Sequence, residues 1–172
     1  MDRPVVGIVM GSDSDLPILS EAVRVLDMLG IRYELTIASA HRTPEKVLEY
    51  ARTARARGLK VIIAAAGLAA HLPGFIAANT VLPVVGVPIA AGPLNGVDAL
   101  YSIVQMPPGV PVACVGISAA RNAALLAAQI LAVADETLMG KLETLRRAMA
   151  EEVAAKARRL EQSRSTQEGG GQ

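Results

Sequence analysis

Short apolar runs alternate with helical patterns along this chain. Segments 5–10, 32–38, 60–65, 83–87 and 110–116 are runs of strand length, rich in Val and Ile or Ala, and they read as buried strands. Segments 15–29, 44–57, 70–79, 97–104 and 119–134 read as the helices between and after them. Gly30 and Gly58 stand where the first two helices should stop. Thr43 is placed to cap the second, with Pro44 at its first position and Glu45 in its first turn. Strands alternating with helices predict a parallel sheet covered on both faces. With right-handed crossovers the expected class is α/β: a three-layer α/β/α, flavodoxin-like, doubly wound sheet in the order 2-1-3-4-5. No internal repeat is visible.

The pattern changes at Asp135. From there to about Arg164 the chain is charged and helical, with Leu138, Leu142, Leu145, Met149 and Val153 at helical spacing. We expect one domain over 1–164, whose C-terminal helix over 135–164 packs either on its own domain or on a neighbouring subunit. The Gly- and Gln-rich stretch 165–172 is expected to be a disordered tail.

Composition narrows the function. Apolar residues make up 52% of the chain but aromatics only 2%, with no tryptophan. Alanine fills much of the core, and that much apolar surface on 172 residues points to burial against other subunits. A net charge of +1 argues against a nucleic-acid binder driven by phosphate contacts. The single cysteine, Cys114, falls in a strand expected to be buried and cannot form a disulfide framework or a Cys-based zinc site within one chain; a reducing cytoplasm fits it. The first apolar run is too short for a signal-peptide core. The runs near 61–70 and 81–91 are broken by Gly or Pro before reaching membrane-helix length, so no membrane partner is expected.

Only two histidines occur, His41 and His71, and both fall at expected strand-to-helix junctions, where open α/β sheets bind ligands. In Ser39-Ala40-His41-Arg42-Thr43-Pro44, His41 is able to give or take a proton near neutral pH and Arg42 to clamp a phosphate or carboxylate. In Gly11-Ser12-Asp13-Ser14-Asp15, free backbone N–H groups and serine hydroxyls suit an anion, and Asp15 suits sugar hydroxyls. This stretch lacks the lysine of a P-loop and the glycine spacing of a dinucleotide fingerprint; its plain alternative is helix capping by Ser14 or Asp13. In Ala66-Gly67-Leu68-Ala69-Ala70-His71-Leu72-Pro73-Gly74, small residues would let a loop close over a flat ligand. His71 would there hydrogen-bond the ligand, cap a helix or be satisfied by backbone. The stretch 102–109 and Asn122 carry no chemistry by spacing alone.

Together these segments resemble the PurE family of purine biosynthesis. The matching stretches are Gly11 to Asp15, Ser39 to Pro44, Ala69 to Gly74, Leu82 to Pro88, Ser102 to Pro107 and Asn122 to Gln129. The resemblance implies the class I branch, the N5-carboxyaminoimidazole ribonucleotide mutases, which need no cofactor or metal. The branch that carboxylates aminoimidazole ribonucleotide directly with CO2 usually has lysine in place of Arg42 and lacks the Ala-His-Leu-Pro-Gly stretch.

Carried over by position, the resemblance implies that Ser12, Asp15 and Arg42 bind substrate, with His41 as the general acid/base. Ser39, Gly67, Ala70, His71 and Leu72 would surround the base and the migrating carboxylate. It further implies a cytoplasmic homo-octamer with active sites at subunit junctions. Two departures stand out. Leu68 occupies a position where the family commonly has glycine, and Ile117 to Arg121 differs from the Gly-rich loop of many members. A different class of function, a nucleotide binder that keeps the fold without turnover, is disfavoured by the retention of His41.

Overall fold

The computed structural model describes residues 3–169. Its strands are β1 (Val6–Met10), β2 (Tyr33–Ile37), β3 (Val61–Gly67), β4 (Val84–Ile89) and β5 (Ala113–Cys114). They form one parallel sheet in the order β2-β1-β3-β4-β5, as expected. Val6 lies between Tyr33 and Val61, and Ile62 is opposite Val84. The three central strands are buried along almost their whole length, whereas β2 is half-exposed. This is why the central runs read as continuous apolar stretches: both faces of such strands are covered.

The helices are α1 (Leu16–Leu29), α2 (Pro44–Arg57), α3 (Leu72–Ala77), α4 (Val97–Val104), α5 (Ala120–Ala132) and α6 (Glu136–Gly169). One face of the sheet packs Val9, Ile62 and Ala64 against Val47 and Ala51 of α2, Leu72 and Ile76 of α3, and Ala99 and Ile103 of α4. Side chains alternate across a strand, so Ile8, Ile63 and Val85 face the other way. They too are fully buried, as are Leu19 and Ala22 of α1 and Ala123, Ala124 and Ala127 of α5. Alanine at the helix faces permits close approach. So does Gly86 on β4, where an added Cβ would lie 2.4 Å from Ile103 Cγ2. Gly30 and Gly58 end α1 and α2 in the left-handed conformation with φ 72° and 104°, and each donates its N–H back to carbonyls of the last helical turn.

Several expected boundaries move. The strand expected over 110–116 shortens to the two residues of β5, because Pro111 cannot donate to a ladder and β5 pairs with β4 alone. Cys114 is consequently half-buried rather than fully buried, and that burial raises its thiol pKa. The helix expected over 70–79 is only α3. Thr43 does precede α2, but its hydroxyl makes no cap bond.

The chain divides into two compact units, one up to Leu131 and one from Ala132 onward. The second unit is mainly α6. Asp135 caps it, accepting a hydrogen bond from the Leu138 N–H at 3.0 Å. Leu138 and Leu142 are buried, while Met149, Val153 and Leu160 are exposed. The helix runs past 164 to Gly169; residues 170–172 of the expected tail lie outside the described residues.

Candidate active site

All five strands are parallel, so their C-terminal ends share one edge of the sheet. The connections after β1, β2, β3 and β4 meet there around a cavity of about 530 Å³, a size suited to a small ligand.

The connection after β1 opens with Gly11 and turns through a single 3-10 turn at Asp13–Asp15, capped by Ser12. The Ser12 hydroxyl accepts from the Ser14 N–H at 3.3 Å and from the Ser14 hydroxyl at 2.9 Å. Asp15 is the one buried charged residue among those described, at 7% exposure. Burial pushes its carboxyl up from the ordinary value of 3.8, against hydrogen bonds from Ser12, Ser14 and Gly11 that pull it down. A carboxylate left in so tight a place is a strong acceptor for hydroxyl donors.

The connection after β2 is a loop closed by the side chains of Thr43 and Ser39. Thr43 Oγ1 accepts from the Ser39 N–H at 2.9 Å and donates to the Ser39 carbonyl at 3.2 Å. The hydroxyl that sequence reasoning placed on the helix cap is thus spent on the loop. The Ser39 hydroxyl accepts from the Arg42 N–H at 3.2 Å. Arg42 then reaches across to β1, donating from Nη2 to the Gly11 carbonyl at 3.0 Å. This lays an exposed guanidinium beside the serine loop, with further N–H groups left to face the cavity that Arg42 lines.

The connection after β3 brings in His71. It precedes α3 with helical backbone angles and no side-chain cap bond, so its ring is available elsewhere. It meets His41: Nε2 of His41 and Nδ1 of His71 are 2.7 Å apart. The rings stand edge to face, 4.9 Å between centroids and 81° between planes. Such a bond needs one nitrogen bearing hydrogen and one bare, so at least one ring is neutral in this arrangement.

Of the residues singled out from sequence, Ser12, Asp15, Ser39, His41, Arg42, Gly67, His71 and Leu72 all line this cavity. Ala70 does not; it is 1% exposed and backs the wall from the core. Asn122 and Arg121 are exposed on α5 and do not line the cavity. Ala91 does, and sequence reasoning missed it. The signal was there in its place, just past the fourth strand. The stretch 102–107 contributes packing: an added Cβ on Gly74 would lie 3.0 Å from Met106 Sδ.

A family model described as AIR carboxylase matches residues 5–152. The chain is 57% identical over 161 residues to an N5-carboxyaminoimidazole ribonucleotide mutase of Pyrococcus horikoshii, covering 94% of this chain and 91% of that protein. It is 55% identical over 161 residues to a phosphoribosylaminoimidazole carboxylase of Schizosaccharomyces pombe, of which it spans only 29%. Among solved structures, Treponema denticola PurE superposes with a TM-score of 0.83 at 31% identity, covering 92% of this chain and 99% of that one.

Proposed function

Because the chain belongs to the AIR carboxylase, or PurE, family, we propose that it is an enzyme of purine biosynthesis, an N5-carboxyaminoimidazole ribonucleotide (N5-CAIR) mutase. It would move a carboxylate from the exocyclic nitrogen to ring carbon C4, giving 4-carboxy-5-aminoimidazole ribonucleotide (CAIR). The observation that carries this reading is the 2.7 Å contact between His41 and His71, set beside the Arg42 guanidinium in a cavity of nucleotide dimensions.

In this reading Arg42 and the serine loop at Ser12 hold the phosphate, and Asp15 takes the ribose hydroxyls. Ser39, Gly67, His71 and Leu72 surround the base, with Ala70 behind them. The carbamate N–C bond breaks, its electron pair stays on nitrogen, and protonated His41 supplies the proton. This leaves aminoimidazole ribonucleotide (AIR) and CO2. C4 then attacks CO2, and the now neutral His41 removes the C4 proton. Protons and charge balance over the cycle, so no cofactor is called for. His71 fixes the ring of His41 and its tautomer through their hydrogen bond. A pocket walled by Gly and Ala excludes water and keeps CO2 from escaping.

The direct carboxylase is the second reading, supported by relatives of nearly equal identity that carry that name. Arg42 and the Ala-His-Leu-Pro-Gly stretch that brings His71 to His41 favour the mutase. The test is turnover of N5-CAIR by wild type and His41→Asn, beside AIR plus bicarbonate. Product from N5-CAIR, lost in the variant, is the expected result. Activity with AIR and bicarbonate alone moves the protein to the carboxylase branch, and nucleotide binding without either activity makes it a binder.

The same reading includes a cytoplasmic homo-octamer with sites at subunit junctions. Its support is apolar surface left exposed: Val97, Tyr101 and Val104 along α4, and Met149 and Val153 on α6. Truncation before Asp135 should loosen the assembly in sedimentation; an intact octamer after that cut removes the role given to α6.

A further inference from the structure

A second cavity, of about 450 Å³, opens at the edge of the sheet where the strands begin. It lies between the later turns of α2 and the turn that leads from α3 into β4, and it shares no lining residue with the active-site cavity. Arg52 and Arg55 line it from α2, and Asn79, Thr80 and Val81 from the turn. Both arginines are exposed, and among the described residues neither forms an ion pair or a side-chain hydrogen bond. Arg57, two residues on, is by contrast spent on Glu34, the Tyr50 carbonyl and the Tyr50 ring. Like charges three residues apart on a helix destabilise it, and no carboxylate lines this cavity to offset them. The helix dipole accounts for Arg55, in the last turn, but not for Arg52 before it.

The polar groups of the turn are only partly used. Asn79 donates from Nδ2 to the Phe75 carbonyl at 2.8 Å, so its Oδ1 remains as an acceptor. Thr80 Oγ1 accepts from the Leu82 N–H at 3.2 Å, so its hydroxyl proton remains to donate. The backbone N–H groups of Thr80 and Val81 have no acceptor among the described residues.

We propose that this cavity is a second ligand site and that it takes a sugar phosphate. Two guanidiniums one turn apart match the oxygens of a phosphate monoester. A fully ionised phosphate alone would leave Asn79 Oδ1 without a donor and much of the cavity unfilled. Sugar hydroxyls both donate and accept, which suits Asn79 and Thr80 together. No aromatic ring lines the cavity, so a nucleobase would find no face to stack on. The site lies apart from His41 and Arg42, and it stands or falls independently of the mutase reading.

The experiment titrates the full chain with ribose 5-phosphate by calorimetry, in wild type, Arg52→Ala, Arg55→Ala, Asn79→Ala and Arg42→Ala. Arg42→Ala is included because the same probe is expected to enter the active-site cavity. The second site should give a binding event that persists in Arg42→Ala and is weakened about 10- to 100-fold by Arg52→Ala or Arg55→Ala. Inorganic phosphate should compete for it only weakly, and ribose not at all. Asn79→Ala should weaken ribose 5-phosphate while leaving the affinity for inorganic phosphate unchanged. Binding that Arg42→Ala abolishes, or that neither Arg52→Ala nor Arg55→Ala alters, overturns the site. Inorganic phosphate binding as tightly as ribose 5-phosphate overturns the sugar phosphate as its ligand. Absence of binding in wild type, with a changed sedimentation coefficient in Arg52→Ala and Arg55→Ala, also overturns the site and assigns the arginines to a contact between copies of the chain.

Discussion

The two ends of the cleft are held in different ways. At the polar end, direction matters: Arg42 is tied to the Gly11 carbonyl, Ser12 accepts from Ser14 twice, and Thr43 closes the loop on Ser39. At the apolar end, shape matters: Leu68 fits against Gly92, and Gly67 against Ala91. Hydrogen bonds recognise groups with fixed donors and acceptors, such as a phosphate and a ribose. Fit without polar contact selects by size and shape alone. The histidine pair lines the same cavity as both ends, and in the proposed mutase reading it is there that a proton would change hands.

Substitution at His41 breaks the comparison most severely if the mutase reading holds, because both ends would then bind without the proposed proton carrier. We expect His41→Asn to lower kcat by about 100- to 10,000-fold, the usual span for general acid–base catalysis, with nucleotide affinity kept in a binding titration. Arg42→Ala sharpens it by damaging the polar end alone. Charge-assisted hydrogen bonds contribute about 1.5–3 kcal/mol, so KM should rise roughly 10- to 100-fold with the ratio of CAIR to AIR unchanged. Arg42→Lys should recover only part, since an ammonium lacks the planar fork.

Asp15→Asn separates binding from stability. Affinity should fall as the charged acceptor proposed for the sugar hydroxyls becomes a weaker neutral amide oxygen. The stability effect has the opposite sign. The folded carboxyl is raised above 3.8 by burial, so the unfolded chain loses its proton first as pH rises. Stability therefore drops through the window just above 3.8 and stays lower beyond it. Thermal midpoints of wild type and variant, compared across that window, should converge at its acid side and favour the variant at its upper side. The smallest effect belongs to Thr43→Val. Losing its bonds to Ser39 should cost about 0.5–1.5 kcal/mol of stability, read by denaturant titration, and loosen Arg42 enough to raise KM modestly.

The cleft's parts were legible in the sequence to different degrees, for physical reasons. The central strands could be read because burial on both faces leaves unbroken apolar runs, and Gly30 and Gly58 because a left-handed helix end favours glycine. The edge strand β5 could not be read to length: its run continues through Pro111, but only Ala113 and Cys114 find a partner. His41 and His71 were each visible as residues at strand ends. Their contact was not, because it spans thirty positions and depends on β1 lying between β2 and β3. Thr43 shows a subtler limit, since cap position is a property of sequence but the direction of a hydroxyl is decided by the loop it can close. Ala91 carried no chemistry of its own and became part of the site only through its neighbours.

The position of β1 also bears on how a new molecule comes into being. The first strand synthesised is flanked by two later ones, β2 and β3, and parallel neighbours cannot join by a tight hairpin. Each must wait for a complete crossover. On the ribosome, β1 therefore emerges with both hydrogen-bonding edges bare. The meeting of His41 and His71 cannot occur until residues through the end of β3 have left the exit tunnel and docked. If the cavity takes a nucleotide as proposed, one present during synthesis would bind only chains that have passed that point, and by mass action would hold them there.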